Sequence, residues 1–430
     1  MTALELPGTR EAVDAIRNGR VPAALEHAWR SPFFRERLRA AGIGPGEVPS
    51  DQAWARITPT TKAELRELSA EQFWEQLVVA DPGDIALYWR SGAVTGRPLF
   101  YPKTHADLPE LVESFARVLD IAGLRPGDLV HNSFPYLGVH PIGHMFGHAL
   151  RERGLGNIFA GSGANTPTDA QVQMLFDLRP TVWMGIGSYL NHLGHRAEAL
   201  GYDPATSSIR RTISSAEPLS PAKRARMQDV WGAELFDCYG MTECSMMGAE
   251  CARHDGLHIW TDMFAVEILD PDGQPLPAGE VGDVIVTPFH SASAIPFLRW
   301  ASGDRGALEP DCDCRYAVFP RLKLTDRTVG FTKVRGVNLN HSEVEDKLLT
   351  LPAVADYMVT VATVDMVDRL GIEIEIRDLS DSQVVIDLVR RKIGTAFEVR
   401  PDVSVLERGT IAARLEADVK QVRVRDLRSQ

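Results

Sequence analysis

The sequence predicts a mixed α/β fold, with a large N-terminal domain of βα-layered sheets that includes a β-rich subdomain, followed by a small α+β C-terminal domain. Three observations predict it. Between Asp107 and Trp231, helical apolar patterns alternate with short apolar runs. After Tyr239 the helical period gives way to strand-like segments separated by turn residues. Past Arg327 the alternation resumes over a stretch long enough to fold separately.

The helical patterns cover 108–122, 169–178, 188–200 and 221–231, and the apolar runs between them cover 130–134, 158–160, 182–186 and 212–214. Strictly alternating units of this kind build a sheet covered by helices. Segments 264–269 and 283–288 flank the turn-rich DPDGQPLPAGEVG and read as a pair of strands. Strand patterns at 357–364 and 373–376 and a helical pattern at 382–397 make up the last segment. The expected division is therefore 1–326, with the β-rich subdomain at about 245–320, and 327–430.

Of the 430 residues, 44% are hydrophobic and 24% charged, which excludes a fibrous, disordered or disulfide-stapled chain. A formal net charge of −12 leaves no summed positive field to recruit nucleic acid or anionic lipid. Neither a basic region leading into an apolar run at the N-terminus nor a membrane-length apolar stretch is visible, so a cytoplasmic protein with no membrane partner is expected. The five cysteines all lie between Cys238 and Cys314, an odd number that suits thiols or a metal better than a disulfide framework.

Three short stretches carry candidate chemistry. WRSGAVTGRPLFY (89–101) is a Ser/Gly/Thr-rich loop whose backbone N–H groups and hydroxyls could wrap a polyphosphate; most loops of this composition are only turns, and its glycine spacing is not that of a Walker A loop. YGMTE (239–243) offers a ring to stack on a base, a hydroxyl for phosphate and a carboxylate for Mg²⁺, or else is a strand end with a solvated glutamate. RWASGDRG (299–306) reads as a turn presenting Asp304, which could accept both ribose hydroxyls or be an ordinary turn aspartate.

The order of these pieces resembles the phenylacetate-CoA ligase branch of the adenylate-forming superfamily, almost end to end. SPFFRERLRAAGI (31–43) and ITPTTKAELREL (57–68) are similar to that branch's N-terminal signature, SGAVTGRP to its phosphate loop, and SSAEPLS (214–220) to its adenine-contacting segment. YGMTE and RWASGDRG resemble the next two motifs, DRTVGFTKVRGVNLNHSEVE the hinge and glycine loop opening the C-terminal domain, and VKQVRVRDLR places Lys420 at the family's mobile catalytic lysine.

The resemblance implies a two-step reaction: a carboxylate attacks the α-phosphate of ATP, pyrophosphate leaves, and the acyl-adenylate is passed to coenzyme A. By motif match, Ser91, Gly92, Thr95 and Gly96 would cradle the phosphates, Glu243 would hold Mg²⁺, and Thr242 would contact the α-phosphate. Ala216, Glu217, Pro218 and Tyr239 would line the adenine, and Asp304 with Arg327 the ribose. Lys420 would stabilise the adenylating transition state, a largely electrostatic task. Rotation of the C-terminal domain about Arg327 would then bring Arg335 and Gly336 to the thioester-forming face. The segment FPYLGVHPIGHMFGHA (134–149) would contribute to the acyl pocket, with Tyr136, His140, Gly143, His144 and Gly147 at roughly helical spacing and three imidazoles suited to a hydroxyl- or amino-substituted aryl acid, and Gly240 would be a further substrate-binding residue; any one of these histidines reads more simply as a helix-surface or core residue.

Three positions depart from the branch's pattern: the phosphate loop carries one extra residue, Val329 and Gly330 stand where an Asp-Asp pair is usual, and Asn340 and His341 replace an aromatic-Pro pair. They motivate two alternatives: an adenylating enzyme with another acceptor (a carrier-protein thiol, an amine, or nitrite in a diazotase), or a non-catalytic nucleotide-binding homologue. Cys251, His258, Cys312 and Cys314, spaced C-x6-H and C-x-C, form a set that either holds structural Zn²⁺ or remains unligated, with His254 a substitute ligand. Homodimers are common in the branch.

Overall fold

The computed structural model describes residues 6–91, 98–137, 139–290, 294–327, 331–334, 337–364, 367–377, 382–415 and 422–428. Of the expected site residues, Gly92, Thr95, Gly96, Arg335, Gly336 and Lys420 lie outside the described residues, as does the side chain of Arg327. The chain divides into two compact units. One combines Met1–Asp128, Tyr136–Asn157 and Phe236–Arg327; the other combines Leu129–Pro135, Ile158–Leu235 and Thr328–Gln430.

In the first unit the N-terminal helices begin where side chains meet their orphan N–H groups. Thr9 caps Arg10–Arg30, Ser31 caps Pro32–Ala40, and Thr61 with Glu64 closes a capping box on Lys62–Glu67. An antiparallel ribbon pairs Ile85–Arg90 with Phe100–Thr104. An antiparallel sheet runs in the order Phe264–Leu269, Gly282–Pro288, Trp300–Glu309, Arg321–Arg327, Leu257–Ile259, Ser245–Glu250 and Glu234–Met241, the last belonging to this unit from Phe236 on. The pair of strands expected around 264–269 and 283–288 is thus part of a larger sheet.

The second unit holds the parallel strands Leu129–Asn132, Val182–Gly185 and Arg211–Ser214, with Thr168–Asp177, Gly187–Ala199 and Pro221–Trp231 as helices. Strands buried on both faces favour apolar residues, and short apolar runs marked each of them in the sequence, although His131, Asn132, Thr212 and Ser214 are buried there too. Trp183, Leu190, Leu193, Trp231 and Leu235 pack into one of its cores. Gly232, at φ 62°, ends Pro221–Trp231 in the left-handed conformation that a helix C-terminus favours. Within the same unit a mixed sheet orders Asp402–Leu406, Val367–Ile376, Val354–Val364 and Val424–Asp426, over a core including Val359, Ile372, Ile374, Val389 and Ile393. The strand expected at 373–376 begins six residues earlier, because residues 367–372 pair with Val354–Val364 as a long hairpin whose polar end joins the Thr363 hydroxyl to Asp368 at 2.9 Å.

His131 lies in the parallel sheet with no exposed surface, its Nε2 3.1 Å from the Gln171 side-chain oxygen, which also accepts from the Ser133 hydroxyl at 3.0 Å. Burial lowers this imidazole to about 4, against a small opposing contribution from Gln171. Between about pH 6.5 and 4 the unfolded chain therefore binds the proton that the folded chain refuses, and stability falls as pH falls, by at most about 3 kcal/mol for this group. A urea midpoint measured from about pH 7 to 5 should decrease for the wild type and decrease less for His131→Gln; parallel curves would contradict the assignment.

Candidate active site

The hairpin joining Glu234–Met241 to Ser245–Glu250 turns through Thr242, Glu243 and Cys244, with Ser245 at φ 79°. A Cβ at Gly240 would fall 2.6 Å from the Ser245 carbonyl oxygen and 2.9 Å from the Met246 Cα, so the register shift at Tyr239/Gly240 requires glycine. The turn places Glu243, 4% exposed, where it meets three groups from the N-terminal part of the chain. The Tyr101 hydroxyl donates to its Oε1 at 2.9 Å, the Lys62 ammonium lies 3.2 Å from the same oxygen, and Lys103 Nζ donates to its backbone carbonyl at 3.4 Å.

The surroundings shift the ionisation of Tyr101 and Lys103. Burial first, and then the Glu243 charge, raise the Tyr101 phenol well above its ordinary value, so it remains a donor. Burial lowers Lys103, opposed by Asp107, Cys244 and Glu243, and its ammonium lies 5.0 Å from the centre of the Trp89 ring. Neither Lys62 nor Tyr101 nor Lys103 was singled out from sequence. The available signal for Lys62 was its motif, ITPTTKAELREL: Thr61 caps the helix and so fixes the lysine at its first turn.

Asp304 corrects an expectation. RWASGDRG is not a turn but part of the strand Trp300–Glu309, kinked by Gly303 at φ 78° and by register shifts against both neighbouring strands. The bulged strand re-aims side chains as a turn would, which a single sequence does not distinguish. Asp304 is buried; its Oδ2 accepts from the Tyr239 hydroxyl at 2.6 Å, and its backbone stands opposite Arg327 on the next strand. Tyr239, Asp304 and the Arg327 backbone are thus brought together, and Ser91 is buried at the end of the ribbon with its N–H bonded to the Leu99 carbonyl at 3.1 Å.

The histidine segment is only partly helical. Tyr136 and His140 precede the helix Pro141–Glu152, which carries Gly143, His144 and Gly147, so the expected single helical face does not include the first two. His140 Nε2 contacts Arg90 at 3.0 Å, and the His144 and His148 Nε2 atoms lie 3.2 Å apart. Burial, then the neighbouring His148, lowers His144. Gly240 belongs to the hairpin rather than to this segment.

In the second unit Ala216 adopts φ 72°, and the Glu217 carboxylate accepts from the Ser188 N–H and pairs with Lys223 Nζ at 2.9 Å. Burial raises Glu217, but Lys223, Arg423 and the Ser188 N–H together hold the carboxyl below its ordinary value.

Cys251, His258, Cys312 and Cys314 bring one ligand atom each to within 4.8 Å of one another. His258 donates from Nδ1 to the Phe319 carbonyl at 3.0 Å, which leaves the Nε2 lone pair facing Cys314 Sγ at 3.2 Å. Three thiols and an imidazole so arranged match the donor set of a closed tetrahedral Zn²⁺ site. His254 is not in the cluster; its Nδ1 faces Glu250 at 3.4 Å. Among the described residues no helix is long and apolar enough to cross a membrane.

Residues 129–289 match the AMP-binding enzyme family and residues 336–428 the AMP-binding enzyme C-terminal domain. The chain is 30% identical to a phenylacetate-coenzyme A ligase of Thermus thermophilus over 86% of this chain and 82% of that protein, and 27% identical to one of Escherichia coli over 97% and 96%. A solved 2-hydroxyisobutyryl-CoA ligase in its postadenylation state shares the fold, with a TM-score of 0.86 at 24% identity over 97% of this chain and 90% of that one. The chain belongs to the AMP-binding enzymes, as an adenylate-forming acyl-CoA ligase of the phenylacetate-CoA ligase branch.

Proposed function

We propose that the protein activates an aryl carboxylate, one bearing a hydroxyl or amino substituent, as its acyl-adenylate and transfers the acyl group to coenzyme A. The observation that carries the reading is the buried Glu243 carboxylate in the hairpin turn, with the Asp304–Tyr239 pair in the same unit. The aryl preference is supported by relatives that are phenylacetate-CoA ligases, and the substituent by the imidazoles of His140, His144 and His148 along one short segment.

In the first step a substrate carboxylate oxygen attacks the α-phosphorus and the bond to pyrophosphate breaks. Glu243 would hold the Mg²⁺ that neutralises charge on the phosphates, Thr242 would donate to the α-phosphate, and Ser91 with the loop after it would hold the departing pyrophosphate. Asp304 would accept from the ribose hydroxyls, its orientation fixed by the Tyr239 hydroxyl, while Ala216–Pro218 would line the base. Lys420 would place its ammonium between the substrate carboxylate and the α-phosphate. In the second step the coenzyme A thiolate attacks the acyl carbon and AMP leaves.

The test is pyrophosphate release with ATP and Mg²⁺ over substituted benzoic, cinnamic and phenylacetic acids, with and without coenzyme A, and with products read by mass. Release together with a thioester of a hydroxy- or amino-aryl acid is expected. Release without a thioester would replace coenzyme A by another acceptor, and no release with any acid would favour the non-catalytic alternative.

For the cysteine cluster, we propose a structural Zn²⁺ held by Cys251, His258, Cys312 and Cys314, supported by the ligand-atom spacing and the tautomer set by Phe319. Elemental analysis of the purified protein should give about one zinc per chain, lost together with several degrees of melting temperature in Cys312→Ser. A zinc-free wild type of undiminished stability would overturn the assignment.

A further inference from the structure

The helix Pro221–Trp231 and the C-terminal part of the second unit meet through a cluster of ionised groups, with Met227 and Leu349 beside it. Lys223 Nζ lies 2.9 Å from Glu217 Oε1 and 3.3 Å from Glu345 Oε1, the latter on the helix His341–Leu349. The Tyr357 hydroxyl donates to the same Glu345 oxygen at 2.8 Å. Beside them Arg423 makes two hydrogen bonds to the Asp356 carboxylate, at 3.0 and 3.1 Å, and Arg226 donates to the Val354 carbonyl at 2.7 Å and to the Ala355 carbonyl. Lys223, Glu345, Asp356 and Arg423 are each under a tenth exposed. The cavity lined by Ser188, Lys223, Glu345, Asp356, Tyr357 and Arg423 is about 10 Å³, barely room for one water.

Two features of this seam bear on the reaction. First, buried ion pairs add little net stability over apolar packing, yet breaking one partner of a closed network is costly, so such a seam is selective for one arrangement rather than adhesive. Opened, its groups are solvated at once, whereas an apolar seam would be left exposed. Second, it links two segments assigned separate roles. Glu217 lies in the adenine-contacting segment. Arg423 follows Lys420 by three residues, about 11 Å of fully extended chain.

We infer that the Glu217–Lys223–Glu345 bridge positions the C-terminal segment carrying Lys420 against the adenine-contacting segment, and so favours the adenylating arrangement over the thioester-forming one. Lys223 and Glu345 are then positioning residues for adenylation only. The inference rests on the proposed role of Lys420.

The two half-reactions separate the possibilities. Pyrophosphate release is measured from ATP and acid without coenzyme A, and thioester formation from enzyme supplied with synthetic acyl-adenylate and coenzyme A. Glu345→Gln retains the acceptor for Tyr357 and the Lys223–Glu217 pair while weakening the link to the C-terminal side. It should slow pyrophosphate release roughly tenfold, the effect of a population shift of one decade, and leave thioester formation within about threefold. Lys223→Met should repeat this split, and Lys223→Arg should recover much of the loss.

Equal loss in both half-reactions would show a merely structural role, and no change in either would show that the bridge does not select the arrangement; each overturns the inference. Lys420→Ala tests the underlying reading separately. If Lys420→Ala abolishes pyrophosphate release and Glu345→Gln gives no split, only the bridge fails. If Lys420→Ala releases pyrophosphate at the wild-type rate, the role of Lys420 fails and takes the inference with it.

Discussion

A carboxylate removed from water must be met by donors or cations, and in the candidate site of the first unit Glu243 is one such carboxylate. Its burial accounts for features otherwise unrelated in sequence: a tyrosine on the second ribbon strand, a lysine at the first turn of an N-terminal helix, and a hairpin whose glycine admits the close backbone approach that forms the turn. Paired in this way the charge is tolerable; unpaired, it would be destabilising by several kcal/mol. The pairing is also suited to exchange. Lys62 retains a third of its side-chain exposure, so a divalent cation arriving with ATP could take up the carboxylate while the ammonium turns to phosphate oxygens.

The second unit applies the same constraint to a different end. Its parallel sheet and its C-terminal mixed sheet each have an apolar core, but charged groups join them. A rigid joint would be expected to use the packing of Trp183 and Trp231 throughout. Charged groups fit the proposed exchange between two arrangements, because water readily replaces the partners of a charge that is uncovered.

Much of this was legible in the sequence. The parallel strands appear as short apolar runs, the helices as apolar patterns at helical spacing, and the order of motifs indicated the family without any one motif being sufficient. What was not legible is where long-range contacts decide. Lys62, Tyr101 and Lys103 converge on Glu243 from positions 140 or more residues away, and apart from the capped motif that carries Lys62 nothing local marks them. Asp304 was expected on a turn because Ser-Gly-Asp is turn chemistry; pairing to strands on both sides makes it a bulge instead. His140 and His144 share a spacing but not a helix, since Pro141 sets the helix start. The seam of Lys223, Glu345 and Arg423 joins segments about 120 and 200 residues apart, beyond the reach of periodicity.

In the proposed reaction Glu243 acts in acyl-adenylate formation and is not simply a satisfied core charge. That role is tested most directly by exchange of labelled pyrophosphate into ATP, which needs the acid and Mg²⁺ but no acceptor. The account predicts acid-dependent exchange in the wild type and a loss of roughly a hundredfold or more in a folded Glu243→Gln, whose amide still accepts from Tyr101 but no longer carries charge. Exchange in that variant at the wild-type rate would contradict it.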